Sequence, residues 1–300
     1  MTFDVVGFGA LNLDRLFKVN MIAKEEEEAS VLDFKESGGG SAANTIVGLT
    51  RLEIKTGFIG KVAADREGKC LLNELKKEGV DINGVTISEV GRTGTVMGYV
   101  DPNADRALYV DPGVNDQLDF NDINVDYVSG ADFLHLSSFV GEKPFKAQKQ
   151  LIKIFSDVKL CFDPGTLYAK KGLTILKPLL KRSYTLFPNE IEVRLITGQN
   201  YLNGAKKLID LGAEIVAIKL GKRGCYVSDG KESHLIKSYK IEAVDTTGAG
   251  DAFCAGFIYG LINGKDLYKC GKLGNFVASR CVSKMGARTG LPQITDLKAI

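Results

Sequence analysis

A chain of 300 residues with 39 Lys+Arg against 37 Asp+Glu has a formal net charge of +2, too small to favour a nucleic-acid or anionic membrane partner. Hydrophobic residues make up 44% and charged residues 25%, the balance of an ordinary globular protein rather than a disordered or fibrous one. The length suits one α/β unit with a small appendage, and no segment approaches the roughly 20 apolar residues of a membrane span.

MTFDVVGFGALNLDR places Asp4 and Asp14 where a signal peptide would need a basic region and an unbroken apolar run, so the expectation is a cytoplasmic protein with a small-molecule partner. Within it, DVVGFGA (4–10) is nearly all apolar, as a strand buried on both faces reads. RLFKV (15–19) and VLDFKES (31–37) follow as strands with no helix between them, and KEEEE (24–28) reads as a solvated loop tip. SAANTIVGLTRLE (41–53) has helical spacing, KTGFIG (55–60) reads as a strand, and REGKCLLNELKKEG (66–79) as a helix. TGTVMGYVD (93–101) and DRALYVD (105–111) read as a hairpin turning at Pro102-Asn103.

Strand-like runs then alternate with helical patterns: ADFLHLS (131–137), KAQKQLIKIF (146–155), VKLCFD (158–163), YTLFP (184–188), LNGAKKLIDLG (202–212) and EIVAIKLG (214–221). The alternation predicts an α/β fold, a mostly parallel sheet covered by helices. The helix-free strands from about 12–38 and 92–112 predict a small β-sheet lid on a single domain spanning 1–300. The cysteines at 70, 161, 225, 254, 270 and 281 form no C-x-x-C pair and read as reduced core residues. His135 reads as a satisfied core residue and His234 as a surface one.

The chemistry is concentrated in VDTTGAGDAFCAG (244–256). AFCAGFIYGLING suits a buried helix whose first turn holds Asp251, just behind Gly248, Ala249 and Gly250. Unpaired N–H groups at a helix start bind anions, so a carboxylate there is either a cap or a group with a second purpose. A donor phosphate held beside a carboxylate is what deprotonation of an attacking hydroxyl requires, which points to phosphoryl transfer. The chain has no G-x-x-x-x-G-K-[ST], H-R-D or D-F-G set, so P-loop and protein-kinase machinery are unsupported.

DTTGAGDAFCAG resembles the C-terminal signature of the ribokinase-like (PfkB) family of carbohydrate and nucleoside kinases. GFGALNLDR resembles its first strand and substrate-binding turn, GGGSAAN its glycine signature, PNEIE its N-x-x-E motif, and KLGKRG the strand and turn before the nucleotide site. The matches run in family order from residue 7 to about 290. The resemblance implies a three-layer α/β/α domain with a β lid, with Asp251 as catalytic base and Gly248, Ala249 and Gly250 as the anion hole. It implies substrate contacts from Asn12, Asp14, Gly38, Gly39, Gly40 and Asn44, with Ser41 merely capping its helix. ATP would meet Asn189, Lys219, Gly221, Gly224, Gly248, Gly250, Asn275 and Ser279, and Asn189 and Glu192 would organise Mg²⁺ through waters. Asp245, Thr247, Ser283 and Gly286 match positions that hold a monovalent cation such as K⁺.

Ser137 and Ser138 stand where sugar-specific ribokinases carry a Glu, which argues against a free pentose. Met97 and Leu108 of the lid are expected either to lie against a flat base or to pack within the lid. The resulting expectation is an ATP-dependent kinase for the 5′-hydroxyl of ribonucleosides such as inosine, guanosine or cytidine, similar to the broad-specificity archaeal members of the family. The alternatives are a sugar kinase acting on fructose, a sugar phosphate or a keto-deoxy acid, for which Arg15, Arg92 and Arg106 would bind an anionic group, and a non-catalytic nucleoside or sugar sensor. Lid strands with free edges predict a homodimer through the lid sheets.

Overall fold

The computed structural model describes residues 2–103 and 106–299. In chain order the first half holds β1 (Val5–Phe8), β2 (Asn12–Val19), β3 (Val31–Gly39), α1 (Ser41–Arg51), β4 (Thr56–Ala63), α2 (Arg66–Glu78), β5 (Val85–Ser88), β6 (Gly94–Val100), β7 (Arg106–Asp111), β8 (Phe133–Ser137) and α3 (Glu142–Ile154). The second half holds β9 (Lys159–Asp163), α4 (Gly165–Ala169), α5 (Gly172–Arg182), β10 (Ser183–Leu186), α6 (Glu190–Thr197), α7 (Tyr201–Leu211), β11 (Ile215–Lys219), β12 (Cys225–Ser228), β13 (Ser233–Ile236), α8 (Ala249–Ile262) and α9 (Leu267–Cys281).

The main sheet has nine strands in the order β13-β12-β11-β10-β9-β8-β1-β4-β5. It is parallel from β5 to β11, and β12 and β13 add an antiparallel edge. Its buried strands bring apolar side chains to both faces. One face packs on α1, α2, α8 and α9 through residues such as Ile46, Leu71, Phe257 and Val277. The other packs on α3, α5, α6 and α7 through Leu151, Leu179, Val193 and Leu208. This is the expected three-layer architecture.

The second sheet has the order β3-β2-β6-β7, so the four helix-free strands pair as expected. KEEEE lies in an exposed loop between β2 and β3. The turn of the β6–β7 hairpin begins at Pro102 and Asn103 and runs into residues 104–105, outside those described.

Three readings change. β5 and the β12–β13 hairpin were not anticipated, although Asp229-Gly230 between the latter strands is a strong hairpin signal. Cys70 is exposed on α2, unlike the other five cysteines. His135 is a buried core residue as expected, but neither ring nitrogen makes a well-aligned hydrogen bond among the described residues, and the Cys161 backbone is a weak polar influence on it. Burial pushes its imidazole down to about 4 and keeps it neutral.

Candidate active site

In an open parallel sheet, ligands bind at the carboxyl ends of the strands, where the strand order reverses. That reversal lies at β1, with β4 on one side and β8 on the other. The turn after β1 leads to Asn12 and Asp14, β9 ends at Asp163, β10 leads to Asn189, and β11 ends at Lys219. A cleft of about 520 Å³ opens along this edge, lined by Ser41, Asp163, Asn189, Glu192, Lys219, Gly221, Gly224, Gly250, Asp251, Asn275 and Ser279, among others. A slightly larger cleft, about 560 Å³, lies at the opposite ends of β8 and β9 beside Asp132, Asp157 and Lys159, and contains none of the residues singled out from the sequence.

Asp251 is the third residue of α8, and Gly248 is the N-cap, in a left-handed conformation at φ 75°. A Cβ on Gly248 would fall 2.6 Å from Ala287 Cβ, so only glycine fits that turn. The Gly250 and Asp251 N–H groups precede the first intrahelical bond, Ala252 N–H to Gly248 O, and remain available at the positive end of the helix. Of the three residues expected to form an anion hole, Ala249 has its N–H turned back to Thr246 O at 3.2 Å.

The Asp251 carboxylate is held at both oxygens. Ser41 Oγ donates to Oδ1 at 2.6 Å and Asn44 Nδ2 to Oδ2 at 2.8 Å. Burial pushes its pKa up to about 6, against these two hydrogen bonds. A carboxylate with that value is ionised at neutral pH and yet basic enough to take a proton. Ser41 is not a cap: Gly40 is the N-cap of α1 and no side chain caps it, while Ser137 Oγ receives the Ala42 N–H at 3.1 Å.

The residues expected to meet the acceptor gather around β2. Burial drives the Asp14 carboxyl up to about 7, with Arg288 opposing and Asp251 and Glu74 reinforcing the shift. Asn12 Oδ1 accepts from Asn115 Nδ2 at 2.9 Å, and Asn115, itself buried, also bonds Leu11 N and O at 2.9 Å. Gly39 lies so close to Asp14 that an added Cβ would sit 2.2 Å from its carboxylate. Gly38 N–H donates to Glu74 Oε2 at 3.1 Å. Arg288, which sequence reasoning missed, is buried and joins these parts: it donates to Asn44 Oδ1 at 2.8 Å, Glu74 Oε1 at 2.9 Å and Gly39 O at 3.2 Å. The first contact turns the Asn44 amide so that its NH₂ faces Asp251.

The lid contributes less than expected. Strand register pairs Asp14 with Val96, Leu16 with Gly98 and Gly98 with Leu108, so these share the face of the small sheet that carries Asp14. Met97 pairs with Arg15 and Tyr109 and therefore points to the opposite face. Met97 and Leu108 cannot both lie against one base. Arg15, also on the far face, is paired with Glu36 at 3.0 Å and Glu67 at 2.6 Å, and Arg92 is paired with Asp111. The Arg106 side chain lies outside those described.

Among the residues expected to meet ATP, Lys219 has its Nζ 2.5 Å from Asp163 Oδ2. Burial opposes the Lys219 charge, but Asp163 and other neighbours hold its pKa above the usual value. A Cβ on Gly250 would lie 3.4 Å from this ammonium, which places a fixed positive charge beside the start of α8. Asn189 and Glu192 form a reciprocal cap on α6, with Asn189 Oδ1 accepting from Glu192 N at 2.8 Å and Glu192 Oε2 accepting from Asn189 N at 2.9 Å. Burial, with Asp163 nearby, raises the Glu192 pKa. Asp163 was not anticipated. With Glu192 it supplies hard carboxylate oxygens in a cleft, a donor set that fits a hydrated Mg²⁺ completed by phosphate oxygens. Among the described residues no three metal-ligating side chains converge.

Asn275 is buried and donates to Ile236 O at 3.1 Å and Lys237 O at 3.2 Å, and Ser279 donates to Phe276 O at 2.7 Å; both help line the distal part of the cleft. Asp245 ties two loops together by accepting from Thr247 N at 2.9 Å, Thr247 Oγ1 at 2.7 Å and Gly286 N at 2.8 Å. Ser283 lies in the second loop, its hydroxyl on Arg280 O at 2.7 Å.

The pfkB family carbohydrate kinase model matches residues 2–294. An "uncharacterized sugar kinase" of Archaeoglobus fulgidus is 44% identical over 83% of this chain and 100% of its own length. An "ATP-dependent ribose-1-phosphate kinase" of Halopiger xanaduensis is 31% identical over 95% of this chain and 94% of its own. The crystal structure of a ribokinase from Thermotoga maritima superposes with a TM-score of 0.89 at 26% identity, over 99% of this chain and 98% of that one.

Proposed function

The chain belongs to the pfkB family of carbohydrate kinases, and from that membership we propose that it transfers the γ-phosphate of ATP to the 5′-hydroxyl of a ribonucleoside. The coarser activity, phosphate transfer to a hydroxyl acceptor by a sugar or nucleoside kinase, follows from the family itself. The observation that carries the finer reading is the lid face above Asp14. Leu16, Val96, Leu108 and Val110 lie on it beside Ser37 and Lys35 of β3, and the four apolar side chains suit a flat base.

In this reading Asp14, Asn12 and Asn44 hold the ribose hydroxyls and Asp251 takes the 5′-hydroxyl proton. The N–H groups of Gly250 and Asp251, with Lys219, stabilise charge on the transferring phosphate. ATP lies along Asn189, Gly221, Gly224, Asn275 and Ser279. Mg²⁺ bound near Asp163 and Glu192 would neutralise phosphate charge, and a monovalent cation at the Asp245, Thr247, Ser283 and Gly286 loops would stiffen the start of α8. The lids of two chains pair in a homodimer.

A second reading, a sugar-phosphate kinase, is favoured by the name of the Halopiger relative. Against it, Arg15 and Arg92 are already committed to carboxylates. Direct measurement of product from ATP, Mg²⁺ and K⁺ against nucleosides, sugars and sugar phosphates tests the choice. Product from inosine, guanosine or cytidine with little from sugars supports the nucleoside reading; product from ribose 1-phosphate or another sugar phosphate alone overturns it. Asp251→Asn is expected to lower kcat by about 100-fold or more with a smaller change in KM. Near-normal turnover of that variant removes Asp251 as the base.

A further inference from the structure

We propose that Ser41 is itself a phosphate acceptor: with ATP bound and no substrate present, the enzyme phosphorylates the Ser41 hydroxyl and thereby closes its own acceptor site. The inference rests on the kinase reading above, from which it takes its donor and its base.

Ser41 Oγ lies 2.6 Å from Asp251 Oδ1 and donates to it. An alcohol oxygen therefore already stands in the relation to the carboxylate that a substrate hydroxyl has to reach. Ser41 also forms part of the wall of the donor cleft, together with Asn189, Lys219 and Gly250. The needs of α1 do not explain this orientation, because the helix takes no side-chain cap from its own start and its Ala42 N–H is met by Ser137. The main chain that presents Ser41 is fixed, while its hydroxyl can still turn about χ1. The preceding Gly40 has φ 103° and sits where a Cβ would fall 2.1 Å from Ala10 O, so the backbone leading into Ser41 is closely confined. A phosphate on the first residue of α1 would also meet the positive end of that helix.

The step balances without any further reactant. The Ser41 hydroxyl proton passes to Asp251, Oγ bonds to the γ-phosphorus, the bond from that phosphorus to the bridging oxygen breaks, and ADP leaves. The product places a phosphate against Asp251, where the acceptor hydroxyl must bind, so the reaction stops at one phosphate per chain and removes that chain from turnover. A substrate hydroxyl that takes Asp251 Oδ1 displaces Ser41 Oγ and protects it.

The test is to incubate the full chain with ATP, Mg²⁺ and K⁺ without acceptor, then follow intact mass, peptide phosphosite and residual kinase activity. The expected result is phosphate confined to Ser41, a parallel loss of activity, suppression by any acceptor the enzyme uses, and a drop of about 100-fold or more in Asp251→Asn. No incorporation by a preparation that phosphorylates an added nucleoside or sugar overturns the Ser41 proposal and leaves the kinase reading standing. A preparation that neither labels itself nor phosphorylates any acceptor overturns both. Label elsewhere, or undiminished in Ser41→Ala, overturns the proposal alone.

Discussion

Asp14 and Asp251 both bind their protons more tightly in the folded protein than the ordinary carboxylate value of 3.8, with pKa values pushed up to about 7 and about 6. A raised folded value contributes stability that is full below the unfolded pKa and is lost as pH rises through the folded one. The fold is therefore expected to lose stability between about pH 4 and pH 7 as these two groups ionise. Asp14→Asn removes its share, so the variant should be more stable than the parent at pH 8 by on the order of 4 kcal/mol, read as a higher melting temperature, and the two should converge near pH 4. Equal melting curves at both pH values would mean that Asp14 is not held protonated by burial. Activity runs the other way, because Asp251 works as a base only when ionised: kcat/KM should rise with pH through about 6. Arg288→Lys keeps the charge but cannot bond Asn44, Glu74 and Gly39 together, so a fall of about tenfold in kcat/KM is expected, together with a loss of about 2 kcal/mol in stability by denaturant unfolding. An unchanged kcat/KM would show that Asn44 keeps its orientation unaided. The residues around Asp251 were legible because they stand together in one short motif, although the Asp251 carboxylate meets Ser41 and Asn44 across 210 and 207 positions. Arg288 and Asp163 belong to no such motif, and only the fold brings them to Asn44 and Lys219, across 244 and 56 positions.

At the scale of elements, the turn from β3 into α1 joins lid to core, and its glycines have different tasks. Gly40 has φ 103° and backbone 2.1 Å from where its Cβ would be, so Gly40→Ala should destabilise the fold by about 2 kcal/mol or more. Gly39→Ala would press on the Asp14 carboxylate instead, 2.2 Å from the added Cβ. The expected signature is a raised acceptor KM with kcat and melting temperature changed less, read from steady-state kinetics on both variants. Lid strands could be found in the sequence because they follow one another without helices. Which lid residues face the cleft could not, because a shift of one residue in register reverses every side chain. That is why Met97 and Leu108 were grouped together and the pairing of β6 with β2 separates them.

For the whole molecule, the lid is the part whose surface one chain leaves unfinished. β3 and β7 are the open edges of its sheet, and open edges invite pairing with another strand. The face turned away from Asp14 stacks Phe17 on Phe34 and on Tyr99, with ring centroids 4.9 and 5.1 Å apart. Yet Phe34 remains 47% exposed, Tyr109 60% and Leu32 on the edge strand 65%. Apolar residues gathered on one small sheet are costly to leave in water, and a second lid related by a two-fold axis presents the same residues in return. Light scattering at micromolar concentration should accordingly give twice the chain mass of 32.5 kDa. Phe34→Glu should reduce it to the single-chain value, with a higher acceptor KM because each lid then stands without support over its cleft. A monomeric parent protein would remove the dimer, and a monomeric variant with unaltered KM would show that each lid closes on its own.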